Sequence, residues 1–197
     1  PSFPIGGFSY SGGLETAIEE GLVLDRVSLV GWCDFHLSAG AALQDGWAVV
    51  SAFELGASDP AIVDLNTLSL ALRQSRETRA ELSLLGDAFA KVMTDVWGLA
   101  LPKGFEGDKS YPVLFGLAAR AFNIDGTDAL VAFLHAWLAN QVSVACRVIP
   151  LGQTDGQRVM HAFEGALDTT SAHIWREHRN AGTPPMSAAL VADWCSV

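Results

Sequence analysis

A run of uncharged residues, 129–146, is the feature that most constrains the fold of this chain. Its 18 residues approach the length that a helix needs to cross a lipid bilayer. The polar side chains of His135, Asn140, Gln141 and Ser143 interrupt the run, and such groups are unfavourable in hydrocarbon. Its apolar residues recur at the three- and four-residue steps of a helix. We therefore expect the buried central helix of a bundle here and not a membrane span.

The rest of the chain shows the same helical periodicity, and alternating strand patterns are almost absent. Expected helices cover 12–21, 28–56, 59–74, 78–97, 111–122, 127–149, 154–167 and 171–180, and a weak apolar segment follows. A stretch rich in Gly, Pro, Lys and Asp, 98–110, is the obvious surface loop. A chain of 197 residues can bury one sizeable core. The sequence thus predicts an all-α, single-domain bundle of roughly nine helices around a buried central helix, spanning 1–197.

The charge and the apolar content of the chain limit the kinds of molecule that it is expected to bind. Half of the residues are hydrophobic and only 17% are charged, while the net charge is -10 and the pI about 4.7. Nucleic-acid phosphates and anionic membrane surfaces repel such a chain, so we expect neither as a ligand. A basic protein would instead be attracted. The apolar excess indicates surface that a permanent partner or a homodimer contact would cover.

The cysteines and histidines give little support for chemistry. Cys33, Cys146 and Cys195 are odd in number and far apart, which fits reduced thiols in the cytoplasm. Cys33 and His36 have a helical spacing that can place two ligands on one metal ion. No third ligand lies close in sequence, so packing is the favoured role and this pair is only a weak metal candidate. No nucleophile occupies a recognisable catalytic elbow, and we expect no enzymatic activity.

Two segments with glycines favour surface presentation over chemistry. The first, 3–11, interleaves glycines with aromatic residues and lacks the Gly-Lys-Ser/Thr ending of a phosphate-binding loop. Such a segment lies tightly either on a partner or on its own bundle. The second, 149–157, follows the central helix and is called the joint below. A capping box from Thr154 and Gln157 is expected to restart a helix there, while Gly152 and Gly156 let a partner backbone approach.

A cluster of charges at 75–81 stands out in a chain with few charged residues. Its mixed signs and three- and four-residue spacings are typical of a solvated helix start with local ion pairs. An interface patch or a buried ion network is the alternative, and the sequence does not choose between them. Thr78 and Glu81 also have the spacing of a capping box, which would place a helix start at Thr78.

These segments together resemble the UreF family of urease accessory proteins. The resemblance is carried by four blocks in the order of the chain: 3–11 with 13–15; 75–77 with Arg79 and Gly86; 111–113 with 116–119; and 140–143 leading into 150–157. It covers about 1–160. The final part, 161–197, diverges, because the basic and aromatic tail that is usual in the family is replaced by an apolar ending. GTPase recruitment through such a tail is therefore in question for this chain.

The resemblance implies an all-α, non-enzymatic adaptor, or chaperone, for metallocentre assembly in urease. It implies three partners: a UreD/UreH-like accessory protein, a UreG-like GTPase and apo-urease, to which the assembly delivers nickel. A homodimer is also implied, and no intrinsic cofactor. The interface or framework positions carried over are Pro4, Gly6, Phe8, Tyr10, Arg76, Glu77, Arg79, Gly152, Gln153, Asp155, Gly156 and Gln157. The composition leaves one alternative, an all-α oligomeric scaffold or a module that binds an apolar ligand.

Overall fold

The computed structural model describes residues 11–180, which form nine α-helices and no β-strand. The helices are α1 (Leu14–Glu19), α2 (Arg26–Ser38), α3 (Ala41–Leu55), α4 (Ala61–Ala71), α5 (Arg76–Trp97), α6 (Tyr111–Ala121), α7 (Gly126–Val148), α8 (Gln153–Ala162) and α9 (Glu164–Asn180). They pack into a single domain. The predicted all-α architecture is therefore confirmed.

Two helices share the centre of the bundle. α7 packs against α1, α2, α3, α6, α8 and α9, as predicted for the central helix. α3 is equally enclosed, by α2, α4, α6, α7 and α9, and buries consecutive residues around its whole circumference. Burial on all sides, including that of Asp45 and Ser51, makes α3 a core helix. The sequence pattern identified the first of these helices and did not distinguish the second from its neighbours.

α7 is the one helix of the described chain whose length and composition would allow it to cross a membrane. Half of its most apolar 18-residue window is buried inside the bundle. Its polar residue Gln141 is buried with hydrogen bonds, while His135 and Ser143 lie on the exposed side. This pattern of burial is typical of the core helix of a bundle.

Glycines allow the central helices to approach closely. A Cβ atom at Gly116 of α6 would overlap the backbone carbonyl oxygen of Val49 on α3. A Cβ atom at Gly46 of α3 would lie 2.6 Å from the Cδ1 atom of Ile174 on α9. The backbone contact at Gly116 requires a residue without a side chain, whereas a Cβ atom at Gly46 would require the Ile174 side chain to move, because interiors are packed to near crystal density.

The prediction of one helix over 28–56 is wrong, because the chain breaks between α2 and α3 at Gly40. Gly40 has an extended backbone, and a Cβ atom there would lie 2.6 Å from the imidazole Nδ1 of His36. That same nitrogen accepts a 3.2 Å hydrogen bond from the backbone N–H of Ala41. His36 therefore satisfies one of the free N–H groups at the start of α3, the role that a capping side chain usually has.

Other helix ends also differ from expectation. α8 ends at Ala162 and α9 begins at Glu164, where the sequence predicted helices over 154–167 and 171–180. The buried ring of Phe163 separates them. Ser75, not Thr78, caps α5, and the two side chains form a capping box. Asp125 caps α7 by accepting from the backbone N–H of Thr127 at 2.8 Å.

The predicted surface loop, 98–110, is fixed firmly at its second end. The Asn66 side chain donates to the carbonyl oxygen of Asp108 at 2.9 Å and accepts from the backbone N–H of Ser110 at 2.8 Å. A Cβ atom at Gly86 would overlap the carbonyl oxygen of Lys109, so α5 and the loop lie in direct backbone contact. The loop end therefore positions the start of α6 on the bundle.

Candidate functional site

The joint turns the chain at the C-terminal end of α7. Ile149 and Leu151 are buried and hold the turn against the core. Gly152 then serves as the N-cap residue of α8. Gly152, Gln153 and Gln157 are exposed. The joint thus presents backbone and amide groups to solvent from an anchored base, which is the arrangement expected of a recognition surface.

The two glycines of the joint have different surroundings. Nothing lies within 4 Å of a Cβ atom placed at Gly152, so a partner has free access there. A Cβ atom at Gly156 would lie 3.0 Å from Cys146 Sγ and 3.1 Å from Val142 Cγ1. Gly156 is buried, and it allows α8 to pack on α7. The expectation that both glycines admit a partner backbone is therefore wrong for Gly156.

The expected capping box of Thr154 and Gln157 is also wrong. Both residues lie inside α8, which begins at Gln153 and has no side-chain hydrogen bond at its N-cap. Glycine is a favourable N-cap residue even without a side-chain hydrogen bond. Thr154 and Gln157 therefore leave their polar groups facing solvent, where a partner can meet them.

Asp155 connects the joint to the start of α2. Its carboxylate accepts a 2.7 Å hydrogen bond from Arg158 and lies 4.0 Å from the guanidinium of Arg26. Burial, assisted by the charge of Asp155, raises the pKa of the Cys146 thiol. Cys146 therefore stays protonated at neutral pH and is a poor nucleophile.

A groove of about 540 Å³ runs beside the joint between α7, α8 and α9. It combines amide, thiol and imidazole groups with apolar walls, and the polar residues that line it include His135, Ser143, Cys146, Gln153, Gln157 and His161. Three of the joint's sequence-predicted residues, Gln153, Gly156 and Gln157, thus meet at one groove.

The N-terminal interface candidates lie outside the described residues. They are Pro4, Gly6, Phe8 and Tyr10. The structure does show where the chain next to them is held. Gln141 of α7 donates from Nε2 to the carbonyl oxygen of Ser11 at 3.3 Å, and the backbone of Gly12 lies close enough to the Glu81 carboxylate on α5 to act against the burial that raises its pKa. Ser11 and Gly12 therefore lie beside α7 and α5.

The charged candidates Arg76, Glu77 and Arg79 are exposed in the first turns of α5. Arg79 forms a salt bridge of 3.4 Å with Asp108, and both side chains remain about half exposed. This exposure excludes a buried ion network at these three positions. A solvated helix start and an interface patch both remain compatible with the geometry.

The buried ion pair of this region involves residues that the sequence did not single out. Arg73, just before α5, forms a short ion pair with Asp45 of α3. Asp45 is buried, which raises the pKa of its carboxyl group even though the Arg73 charge acts to lower it. The Arg73 Nε atom is buried without a hydrogen-bond partner in residues 11–180. No sequence motif predicts this pair, because its members lie 28 residues apart, one on α3 and the other in the connection between α4 and α5.

This ion pair lies in the wall of a cavity of about 620 Å³ between α2, α3, α5 and α7. Aromatic rings of Trp32, Trp137 and Tyr111 contribute to the same wall. Burial, and then the nearby Asp45 charge, raises the pKa of Tyr111 to about 12. The cavity therefore combines an apolar lining with one strongly polar region.

Cys33 and His36 have surroundings that favour packing over metal binding. Cys33 is fully buried in the core, and burial raises the pKa of its thiol to about 12. Burial, followed by the charge of Arg73, lowers the pKa of His36, whose ring lies 4.3 Å from that of Trp32. No group of three His, Cys, Asp or Glu side chains within 11–180 is arranged to hold a metal ion.

Comparison with known proteins adds the family. The family model described as UreF matches residues 23–164. The urease accessory protein UreF of Rhodopseudomonas palustris strain BisA53 is 38% identical over 178 residues, which cover 87% of this chain and 75% of that protein. The UreF protein of Methylobacterium sp. strain 4-46 is 42% identical, with 87% and 71% covered. That of Rhizobium etli strain CIAT 652 is 38% identical, with 100% and 86% covered. The chain therefore belongs to the UreF family of urease accessory proteins.

Proposed function

We propose that this chain is a non-enzymatic adaptor that joins a UreD/UreH-like protein to a UreG-like GTPase during urease maturation. The observation that carries the proposal is the UreF match over 23–164, together with relatives named urease accessory proteins at 38–42% identity. Nickel for apo-urease is the cargo of the assembly, so the adaptor needs no cofactor of its own. We place this activity in the cytoplasm and expect the adaptor to act as a homodimer.

The joint supports an adaptor role because it combines exposure with rigidity. Gly152, Gln153 and Gln157 face solvent, while Ile149 and Leu151 fix the turn to the core. Binding to a preformed surface avoids much of the entropy that ordering a loop would cost. The acidic net charge of -10 further favours basic protein partners.

The state of the thiols supports a non-catalytic role. The thiolate and not the thiol is the reactive form of cysteine. The pKa values of Cys33 and Cys146 are both raised by burial, so neither residue is activated. A broad serine- or cysteine-directed activity probe should leave Cys33 and Cys146 of the folded protein unlabelled, and rapid stoichiometric labelling of either thiol would contradict this part of the proposal.

The direct test is reconstitution with the UreD/UreH-like protein and the UreG-like GTPase of the same organism. Size-exclusion chromatography with mass detection should show a ternary complex that forms only when this chain is present. Binding of the first partner without the GTPase would limit the role to that partner. If the chain binds neither protein, with or without nickel, the adaptor proposal fails.

The cavity beside Asp45 and Arg73 favours a second candidate function, a small-molecule binding module. Its volume of about 620 Å³ lies in the range of ligand pockets. The ion pair in its wall suits a ligand with a polar group better than a purely apolar one. Native mass spectrometry of the protein as purified would reveal a bound molecule, and an unliganded mass would count against this candidate.

A further inference from the structure

Three large apolar side chains are exposed where α1 meets α2. Leu22 is 65% exposed, Leu24 61% and Val27 69%, while Val23 between them is buried in the core. We call the segment 19–27 the acidic corner, because it contains Glu19, Glu20 and Asp25. A concentration of exposed apolar side chains at one turn is unusual for a surface that only meets water.

The backbone of the acidic corner is well fixed. Gly21 adopts a left-handed conformation with φ of 76°, and the N–H of Leu22 donates to the Ala17 carbonyl at 2.8 Å. Asp25 and Ser28 then form a reciprocal capping box, with Ser28 N–H 2.9 Å from the Asp25 carboxylate. The apolar side chains are thus presented by a preformed turn, which lowers the entropy lost on docking.

The charge around these apolar side chains is negative. Glu15, Glu19 and Glu20 are exposed and make no salt bridge with any residue of 11–180. Arg26 is the single Lys or Arg residue between residues 11 and 40, and it faces Asp155. A symmetric contact between two copies would place this negative surface against itself. A partner rich in lysine and arginine would instead be attracted.

The acidic corner is continuous with the joint. The Arg26 guanidinium lies 4.0 Å from the Asp155 carboxylate, and α2 packs directly against α8. We propose that the acidic corner and the joint form one docking surface for a protein partner that carries lysine and arginine side chains around an apolar anchor. This inference rests on the proposed adaptor function and identifies the face that the partner covers.

The test compares substitutions inside and outside the proposed surface. Val27→Asp introduces a charge at the apolar centre, and the pair Glu19→Lys and Glu20→Lys reverses the rim. Ile124→Asp is the matched control, because Ile124 is also an exposed apolar residue, at 47%. It precedes α7, whose 23 residues place it roughly 34 Å from the joint at 1.5 Å per residue. Circular dichroism melting checks that each variant folds.

Binding of each variant to the UreD/UreH-like protein and to the UreG-like GTPase is then titrated at low and high salt. We expect Val27→Asp to weaken one interaction by about tenfold or more, as for a residue central to an interface. The double reversal should weaken the same interaction, because it places like charges against the basic partner. Ile124→Asp should bind like the wild type. The double reversal should also reduce the salt dependence of the affinity, because rim charges act through steering.

The possible failures are separable. If the wild type binds a partner and the acidic-corner variants bind equally well, the docking surface is refuted while the adaptor function stands. If the wild type binds neither protein, the adaptor function fails and the docking surface fails with it. If Val27→Asp converts a dimer to a monomer without changing partner affinity, the acidic corner is a contact between two copies and the inference is overturned.

Discussion

The indole N–H of Trp32 donates a 3.0 Å hydrogen bond to the side-chain oxygen of Gln141, joining α2 to α7 across 109 residues. The amide nitrogen of Gln141 donates in turn to the carbonyl oxygen of Ser11. One buried amide therefore satisfies two groups from distant parts of the chain and ties Ser11 to α7.

Replacing Gln141 with leucine should destabilise the fold by about 1–3 kcal/mol, because it leaves the Trp32 N–H and the Ser11 carbonyl without their partner. Urea unfolding followed by tryptophan fluorescence measures this change. Gln153→Leu is the matched control, since Gln153 is exposed and its replacement should stay within about 0.5 kcal/mol. Equal stability of the two variants would show that the Gln141 contacts contribute little.

The Asp45–Arg73 pair should behave as a unit. Asp45→Leu or Arg73→Met alone should cost about 3–5 kcal/mol, because each leaves a buried charge uncompensated. The double variant should recover most of that loss, since no buried charge remains. Free energies of unfolding for the four proteins complete the cycle. If the two single losses simply add in the double variant, the two side chains do not interact as the structure shows.

Substitutions at the two glycines of the joint should affect different properties, stability at Gly156 and partner binding at Gly152. Gly156→Arg should destabilise by at least about 2 kcal/mol, because its side chain would be forced against Cys146 and Val142. Gly152→Arg has free space and should leave the melting temperature nearly unchanged while weakening partner binding. The melting temperature and the partner affinity of both variants test this prediction. Wild-type affinity of Gly152→Arg would show that Gly152 does not lie in the interface.

Half-buried His36 and buried His178 should make the fold sensitive to mild acid. Burial lowers the pKa of His36 and of His178 below the ordinary 6.5. The unfolded chain therefore takes up more protons as the pH falls through about 6.5, and the stability that the neutral histidines provide above that pH is lost below it. Burial raises the carboxyl pKa values of Asp45 and Glu81, and this contribution makes the folded state more stable as the pH falls.

A His178→Gln variant isolates this histidine contribution. The Nε2 atom of His178 has no hydrogen-bond partner in residues 11–180, so the substitution removes a titrating group without breaking a bond at that atom. Urea midpoints measured between about pH 5.5 and 7.5 should fall less steeply toward acid in the variant than in the wild type. Parallel pH profiles would show that His178 does not contribute to the acid sensitivity.

Much of the fold could be predicted because helical periodicity reports burial directly. The start of α5 was located to within three residues, with Ser75 as the cap in place of Thr78, and the long α7 stripe was evident from spacing alone. The break at Gly40 was not, because apolar residues continue through it in helical register. The group that stabilises the new start, the imidazole of His36, comes from five residues earlier and resembles no capping sequence.

The candidate site was only partly predictable. The exposed joint could be found because glycine, proline and amide residues are concentrated in one segment of the sequence. The roles of Gly152 and Gly156 could not be separated, since the two differ only in the contact of Gly156 with Cys146 and Val142 of α7. The exposure of Leu22 and Leu24 could not be predicted either, because the sequence alone does not show whether a given apolar side chain faces the core or the solvent.

Gly107 in the 98–110 loop is a position at which a label can be attached. The second end of this loop is held by Asn66 and by backbone contact with Gly86, whereas nothing lies within 4 Å of a Cβ atom at Gly107. A fluorophore or short epitope attached at Gly107 therefore has free space and replaces no residue of the joint or the acidic corner. Such a label lets each docking step be followed in real time with both proposed contact faces left chemically unaltered.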